Sequence, residues 1–191
     1  MTEAVPLNTS PLPVRLRVED YLLLDESGAF DAYAKTELIE GEIVYINAQH
    51  RPHALVKSEL FFAIASALKA SDSPLTAIVG GSVAMPDDSV PEPDIVLTAE
   101  PEGEGLIPLE SVALVVEVAD TTLANDLGRK ARLYARKGVP EYWLVDVKGG
   151  AVHQLWAPEG ETYAEKREVK LGQRIEAATV DGLKVETEGL R

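Results

Sequence analysis

A seven-residue run, VALVVEV at positions 112–118, decides which class of fold this chain adopts. Its apolar residues occupy both faces of an extended strand, a pattern typical of strands that other elements cover on both sides. The helical pattern Asn125–Lys137 follows it and ends at Gly138, and the apolar run Glu141–Val147 comes next. The sequence therefore predicts a central strand, a helix and another core strand in this order.

Similar patterns extend outward from this centre in both directions. Pro52–Lys69 is predicted to be a helix because its apolar residues recur at spacings of three and four. The segment Glu37–Ile46 alternates in polarity, which indicates either a hairpin or a long strand bent at Gly41. The other predicted elements are a short helix over Val18–Leu24 and strands over Leu75–Val83, Asp94–Thr98, Val152–Trp156, Thr162–Val169 and the tail from Gln173.

This order predicts an α/β (α+β) fold with a core of mixed β-sheet flanked by helices and antiparallel β extensions at both ends. A length of 191 residues predicts a single domain over 1–191. We divide it into a flexible arm at 1–17, a core at 36–148 and a β-hairpin extension at 149–191.

Composition excludes several classes of function. The chain has no Cys, which excludes disulfide scaffolds, thiolate zinc sites, iron–sulfur clusters and cysteine nucleophiles. It has no apolar run long enough to cross a membrane and no signal-peptide pattern, so we expect a cytoplasmic protein with no membrane partner. The net charge of −14 opposes nonspecific attraction to nucleic acid. The low content of Asn, Gln, Cys and Met resembles that of thermophile proteins.

Two carboxylates stand at the ends of predicted core strands. Glu117 interrupts the buried run 112–118, and Asp94 follows Pro93 and begins another apolar run. If the two strands are neighbours, the carboxylates lie roughly 4 to 6 Å apart and require a cation or a shared proton. The alternatives from the residues alone are a turn or cap role for Asp94 and a salt bridge to a nearby Lys or Arg for Glu117.

The helix Asn125–Lys137 concentrates positive charge. Five of the eighteen basic residues lie within it: Arg129, Lys130, Arg132, Arg136 and Lys137. Arg136 and Lys137 also suit the C-terminal end of a helix. Leu127, Ala131, Tyr134 and Ala135 define its expected inner side. Lys130 falls on this stripe, which suits an amine that reaches a buried carboxylate.

Several motifs together resemble one known family. They are ELIEGEIV at 37–44, His50 and His53 at a helix start, Pro93-Asp94, VVEV at 115–118, Asp126 with Lys130, and the segment from Tyr134 through GVPEYWLVD at 138–146. In this order and spacing they resemble the Uma-two family of restriction-endonuclease-like proteins, over roughly residues 18 to 190. The resemblance implies the PD-(D/E)xK nuclease superfamily, whose core is a helix, three strands, a helix and a fourth strand.

The resemblance also implies roles for particular residues. Asp94 and Glu117 would bind a divalent metal, Mg²⁺ or Mn²⁺. The usual superfamily lysine two residues after the acid is absent, because that position is Ala119, and Lys130 would replace it. Glu42 would be a further catalytic acid near the metal, with Glu40 on the same strand face as the alternative.

Two further residues are implied as supporting groups. His53 would hold a phosphate or a metal-bound water, with an N-cap or packing role as the alternative. Asp126 would cap the helix or support Lys130. A zinc site at His50 and His53 is rejected because no third ligand of zinc type is nearby.

The predicted activity is metal-dependent hydrolysis of phosphodiester bonds in nucleic acid, with DNA as the expected substrate and Arg129 and Arg132 as backbone contacts. One alternative is an inactive binding module with a nuclease fold, which Ala119 favours. Another is a hydrolase of small phosphoesters, which suits the acidic surface. A homodimer is plausible because cutting two strands is easiest with two sites.

Overall fold

We analysed a computed structural model, which describes residues 12–46, 49–120 and 123–190. The helices are α1 (Val18–Glu26), α2 (Arg51–Ala70) and α3, a continuous helical segment made of Leu123–Asn125, the π-helical turn Asp126–Lys130 and Ala131–Arg136. The strands are β1 (Thr36–Ile39), β2 (Glu42–Tyr45), β3 (Thr76–Val79), β4 (Val83–Ala84), β5 (Ile95–Thr98), β6 (Ile107–Pro108), β7 (Val112–Ala119), β8 (Glu141–Asp146), β9 (Ala151–Glu159), β10 (Thr162–Lys170), β11 (Arg174–Glu176) and β12 (Lys184–Glu186). A 3₁₀ turn, Leu109–Ser111, precedes β7.

A six-stranded mixed sheet in the order β10-β9-β8-β7-β5-β3 forms the centre of the fold. Strands β7 and β8 are parallel, while the other neighbouring pairs are antiparallel. A parallel pair requires a long crossover connection, and α3 supplies it between β7 and β8. The predictions of a central strand at 112–118 and of a mixed sheet flanked by helices are confirmed.

The two faces of this sheet pack against different helices. On one face, Val56, Leu60 and Ile64 of α2 contact the side chains of Val116 and Trp143. The opposite face carries Leu133 and Tyr134 of α3 together with Val96, Val115 and Tyr142. Because side chains alternate along a strand, Glu117 of β7 belongs to the second face, beneath α3, while Asp94 directly precedes β5.

The predicted strand Leu75–Val83 is divided in two by a glycine pair. β3 ends at Val79, and β4 pairs in parallel with β6 instead of continuing along the sheet. A Cβ added at Gly81 would lie 2.6 Å from the Ile107 side chain, so the close approach of β6 requires glycine at this position.

The C-terminal tail differs from the prediction. β9 and β10 extend the antiparallel part of the sheet as expected, but β11 and β12 pair only with each other. Ile175, Leu183 and Val185 from this region pack into the apolar cluster beside α2. The tail therefore covers the sheet and α2 instead of adding strands to the sheet.

Helix α3 is irregular where the sequence predicts a regular helix. The π-helical turn Asp126–Lys130 contains more residues per turn than an α-helix, which rotates the preceding residues relative to the rest of α3. Leu127, predicted to face inward, is 40% exposed, while Asp126 and Lys130 are buried. The prediction for Leu127 is therefore wrong.

The N-terminal hairpin packs beside α3. β1 and β2 are antiparallel and joined by Glu40 and Gly41, both with positive φ, so the hairpin alternative for Glu37–Ile46 is confirmed. Of the predicted flexible arm, residues 1–11 lie outside the described residues, whereas Leu16 donates a backbone hydrogen bond to Gly41. Within the described ranges, no helix combines the length and the apolar character needed to span a membrane.

Candidate active site

Asp94 and Glu117 lie opposite each other at the ends of two neighbouring strands. The antiparallel register pairs Ile95 of β5 with Val116 of β7. Asp94 directly precedes Ile95 and Glu117 directly follows Val116, so the register brings the two acids to the same end of this strand pair. Each residue is only 5% exposed. The structure thus brings these two predicted site residues together in a buried position.

Asp94 accepts hydrogen bonds from one side of the site. The Val118 amide is 2.9 Å and His53 Nε2 is 3.1 Å from Oδ2, while Gln49 Nε2 is 3.2 Å and Lys57 Nζ is 3.3 Å from Oδ1. Burial alone would raise the pKa of this carboxyl. The hydrogen bond and charge of His53, the Val118 amide and the charge of Lys57 outweigh burial and lower the pKa to about 2.

Glu117 is bound from the α3 side. Its Oε1 accepts hydrogen bonds of 2.8 Å from both Lys130 Nζ and the Tyr134 hydroxyl. Burial raises the pKa of the Glu117 carboxyl, and the positive charge of Lys130 only partly opposes this effect. The negative charges of Asp94 and Glu37 raise the pKa further, to about 7. Burial would lower the pKa of Lys130, but Glu117 and Glu37 outweigh that effect and raise it above its ordinary value.

Glu37 on β1 is a third buried acid in this site, and the sequence analysis missed it. Its side chain is fully buried, its Oε2 lies 3.2 Å from Lys130 Nζ, and its Oε1 accepts a 3.1 Å hydrogen bond from the Glu92 amide. Lys35 Nζ lies 3.6 Å from the same Oε1. One feature of the sequence could have indicated Glu37: it lies two residues before Ile39 in a strand, so the two side chains point to the same face of that strand.

Glu42 and its alternative Glu40 lie away from the two paired acids. Glu42 is exposed, and its oxygens lie 2.6 Å from Arg15 and 2.8 Å from Arg129. Glu40 forms ion pairs of 3.0 Å with Arg129 and 2.8 Å with Arg136. Hairpin β1–β2 thus turns both side chains toward arginines, and the role of Glu42 as a further catalytic acid stays a prediction.

Most basic residues of α3 are paired with acids. Arg129 binds Glu40 and Glu42 and donates to the Ile39 carbonyl at 2.9 Å, and Arg136 binds Glu40 and Glu161. Lys137, which follows α3, lies 3.1 Å from Asp88 and donates to the Pro86 carbonyl. Arg132 is exposed and has no ion pair with any residue of 12–46, 49–120 or 123–190. Of the two arginines predicted to bind nucleic acid, only Arg132 thus presents an uncompensated charge.

The supporting residues have well-defined positions. His53 lies in the first turn of α2, whose N-cap residue is His50, and the Nδ1 of His53 is buried without a hydrogen-bond partner in the described part of the chain. Asp126 is buried inside α3, three residues after the first helical residue Leu123, so it does not occupy the cap position. Lys57 and Tyr134, which contact the two acids, were not predicted as site residues.

The donor chemistry of the site fits a hard divalent cation. Asp94 and Glu117 offer carboxylate oxygens, the ligands that Mg²⁺ and Mn²⁺ prefer, and the hydrogen bonds from Lys130 and Tyr134 to Glu117 leave its Oε2 unused. The described residues contain no cluster of three His, Asp or Glu side chains arranged to hold a metal. Two protein carboxylates would thus leave the remaining coordination positions to water and substrate, an arrangement typical of Mg²⁺.

The comparisons agree with a nuclease-like fold. A structure described as a putative nuclease belonging to DUF820, from Anabaena variabilis ATCC 29413, superposes with a TM-score of 0.68 at 20% identity, covering 93% of this chain and 97% of that one. The sequence profile of Uma2, described as "Putative restriction endonuclease", matches residues 18–188. The chain belongs to the Uma2 family, which confirms the resemblance. A search of curated proteins gave no match.

Proposed function

We propose that this chain is a metal-dependent nuclease that hydrolyses phosphodiester bonds, with DNA as its substrate. The observation that supports it most strongly is the buried cross-strand pair of Asp94 and Glu117, with Lys130 hydrogen-bonded to Glu117 at 2.8 Å. Two carboxylates can hold a divalent metal ion, and an amine beside them can stabilise negative charge on a phosphate, so together they suit phosphodiester hydrolysis. Membership of the Uma2 family supports the same conclusion.

Each residue has a distinct role in this proposal. Asp94 and Glu117 would hold Mg²⁺ or Mn²⁺, which would supply Lewis-acid polarisation of the phosphodiester and a more acidic water molecule. The Lys130 amine has three N–H donors, and the carboxylates of Glu37 and Glu117 each lie close to this amine and can accept one of them. Its remaining donor stabilises negative charge that develops on the phosphate oxygens. His53 holds Asp94 in place, and Glu37 holds the Lys130 amine.

The test is a cleavage assay with four substrates: supercoiled plasmid, single-stranded DNA, RNA and a chromogenic phosphodiester, each with Mg²⁺ or Mn²⁺. We expect cleavage of DNA by the wild type and a loss of at least about 100-fold for Glu117→Gln and Lys130→Ala. Glu165→Gln, an exposed acid on β10, is the matched control and should keep full activity. Calorimetry should detect Mn²⁺ binding that Asp94→Ala abolishes, and an unchanged titration would overturn the proposal.

A binding module that keeps the fold without hydrolysis is the second candidate. It is favoured by the hydrogen bonds that already occupy Asp94 and by the acids that neutralise most of the α3 cations. In that case, Mn²⁺ titration would show no Asp94-dependent binding and no substrate would be cleaved. Cleavage of the chromogenic diester alone would instead support the small-phosphoester hydrolase, which the net charge of −14 suits.

A homodimer is part of the proposal, because one site per chain cuts a single strand and two sites cut a duplex. Sedimentation equilibrium at micromolar concentration tests it. A molecular mass of about twice 20.6 kDa is the expected result, and a single-chain mass contradicts it.

A further inference from the structure

Two tyrosine rings remain exposed beside the candidate site. Tyr33, in the turn before β1, is 51% exposed, and Tyr45, at the end of β2, is 62% exposed. Their ring centroids are 5.7 Å apart with an interplanar angle of 34°. Two neighbouring rings form a larger exposed apolar patch than a single ring does, and tyrosine is enriched at binding interfaces.

Tyr45 also lines a pocket that is continuous with the candidate site. This pocket has a volume of about 180 Å³ and is lined by Glu37, Ile39, Val44, Tyr45, Ile46, Arg129 and Lys130. Glu37 and Lys130 are the same side chains that lie against Glu117. A group bound against Tyr45 is therefore directly adjacent to the groups assigned to hydrolysis.

The size and lining of the pocket indicate the kind of group that it takes. Pockets for whole small molecules usually measure about 300–1,000 Å³, so this one suits a single flat group. Its apolar and aromatic walls suit the face of a planar ring, while the amine of Lys130 at the pocket suits a neighbouring phosphate. A nucleobase attached to its own phosphodiester combines these two features.

We propose that Tyr45, assisted by Tyr33, forms a stacking surface for an unpaired nucleobase of the substrate strand. This inference rests on the proposed nuclease function and narrows its substrate class to single-stranded or locally opened nucleic acid. A base inside a duplex already stacks on its neighbours and has no face available to Tyr45 unless it is extruded. Stacking on aromatic side chains is the usual way in which proteins bind unpaired bases without reading their sequence.

The test measures binding of fluorescein-labelled oligonucleotides by anisotropy in EDTA, so that hydrolysis does not interfere. The probes are dT12, rU12, a 12-base-pair duplex and a dT12 with 2-aminopurine at its centre. For Tyr45→Ala, we expect dT12 to bind about 5- to 150-fold more weakly, the range that corresponds to the loss of one base stack. Tyr45→Phe should bind within about threefold of the wild type, because the ring is retained.

The controls separate stacking from general damage. Phe62→Ala removes another ring, 67% exposed on α2, and should leave dT12 binding unchanged. Tyr33→Ala should weaken dT12 binding less than Tyr45→Ala does. Quenching of the 2-aminopurine fluorescence by the wild type should disappear in Tyr45→Ala, which a purely structural role of Tyr45 would not produce. Comparison of dT12 with rU12 shows which sugar the site prefers.

Several outcomes would overturn the inference. Wild-type affinity of Tyr45→Ala for dT12 excludes stacking, and equal losses for dT12 and the duplex mean that Tyr45 does not select unpaired bases. If the wild type cleaves DNA with Mn²⁺ while Tyr45→Ala binds normally, only the stacking surface is refuted. If dT12 binding requires Tyr45 but no substrate is cleaved, the stacking surface remains and the nuclease proposal fails.

Discussion

Lys130 holds the buried acids of the candidate site together. Its amine lies 2.8 Å from Glu117 and 3.2 Å from Glu37, on a side chain that is almost fully buried. Without it, two carboxylates would remain in an apolar environment without their shared counter-ion, which is strongly unfavourable.

The first prediction concerns folding stability. Lys130→Met should lower the free energy of unfolding by about 3–5 kcal/mol, the cost of breaking a buried ion pair by removing one partner. Urea denaturation at pH 7 measures it. Lys148→Met is the matched control, because Lys148 is exposed and its pair with Asp120 should contribute at most about 1 kcal/mol. Equal effects of the two substitutions would show that Lys130 has no special structural role.

Lys57 is the cation nearest to Asp94 from α2, and it carries the second prediction. Its Nζ lies 3.3 Å from Asp94 Oδ1 and donates a hydrogen bond of 2.7 Å to Gln49. The positive charge of Lys57 therefore lies beside an oxygen of Asp94, a proposed metal ligand. Lys57→Met should strengthen Mn²⁺ binding about tenfold, because a unit charge about 6 Å from a divalent ion costs about 1.4 kcal/mol even in water. Calorimetry checks this, and unchanged or weaker binding would contradict the proposed position of the metal.

At the scale of elements, ion pairs connect hairpin β1–β2 to helix α3. Glu40 at the hairpin turn forms ion pairs with Arg129 and Arg136. Glu42 forms ion pairs with Arg129 and Arg15. These contacts hold β1, and therefore Glu37, against the helix that carries Lys130. Arg129, which is predicted to contact a phosphate backbone, thus also connects these two elements of the site.

A pH dependence follows from the Glu40 ion pairs. Burial would raise the pKa of Glu40, but hydrogen bonds from Arg136 and Arg129 outweigh it and lower the pKa below 4.5. A carboxyl whose pKa is lower in the folded chain than in the unfolded chain stabilises the fold at pH values above its unfolded-state pKa. This stabilisation is lost as the pH falls through its folded-state pKa. Glu40→Gln should therefore cost about 1 kcal/mol at pH 7 and progressively less below pH 4.5.

Denaturant unfolding of the wild type and Glu40→Gln between pH 7 and 3 measures this dependence. Glu161→Gln is the control, because Glu161 is an exposed acid that forms one ion pair, with Arg136, among the described residues and should show a smaller effect. A cost of Glu40→Gln that does not change with pH would contradict an ionic origin.

At the scale of the whole molecule, Glu141 joins the sheet to the C-terminal tail. Its Oε2 accepts hydrogen bonds from the amides of Ala178 and Thr179 at 2.9 and 2.8 Å, and its Oε1 accepts from Trp143 and Gln154. The GVPEYW segment that carries the family resemblance therefore contributes to the architecture, since Glu141 lies on the sheet face opposite Asp94 and Glu117.

Glu141→Gln should lower the free energy of unfolding by about 2–4 kcal/mol, because the new amide group leaves buried donors without acceptors. It should leave the Mn²⁺ affinity unchanged, since the site lies on the other face of the sheet. Thermal unfolding and calorimetry give the two readouts, with Glu165→Gln as the exposed control. A stable variant would show that these bonds are dispensable, and a lost metal affinity would show that the two faces are coupled.

The composition itself yields one prediction for the intact chain. With six Asn and Gln residues in total, no Cys and two Met, we predict a melting temperature above about 60 °C, since mesophile domains cluster at about 45–65 °C. Differential scanning calorimetry measures it, and unfolding below about 60 °C would remove the thermophile hypothesis.

Local pattern was sufficient for most of the elements. A strand, a hairpin or a helix can be predicted where its pattern of apolar residues lies within one short stretch of sequence. This holds for the buried run at 112–118, for the alternation over 37–46 and for the apolar stripe of α2. The order of these elements predicted the mixed sheet, and Asp94, Glu117 and Lys130 stood out because charged residues rarely interrupt buried stretches.

Other features depended on contacts between residues distant in the chain. Glu37 joins the site because the hairpin packs against α3 across 93 positions of sequence, and Glu42 turns to the surface for the same reason. The π-helical turn buries Asp126 and exposes Leu127, a change that no regular periodicity contains. The sequence by itself determined which strands and helices form and which acids lie at strand ends. Only the tertiary structure decided which charges meet, because ion pairs form wherever packing brings side chains within a few ångströms.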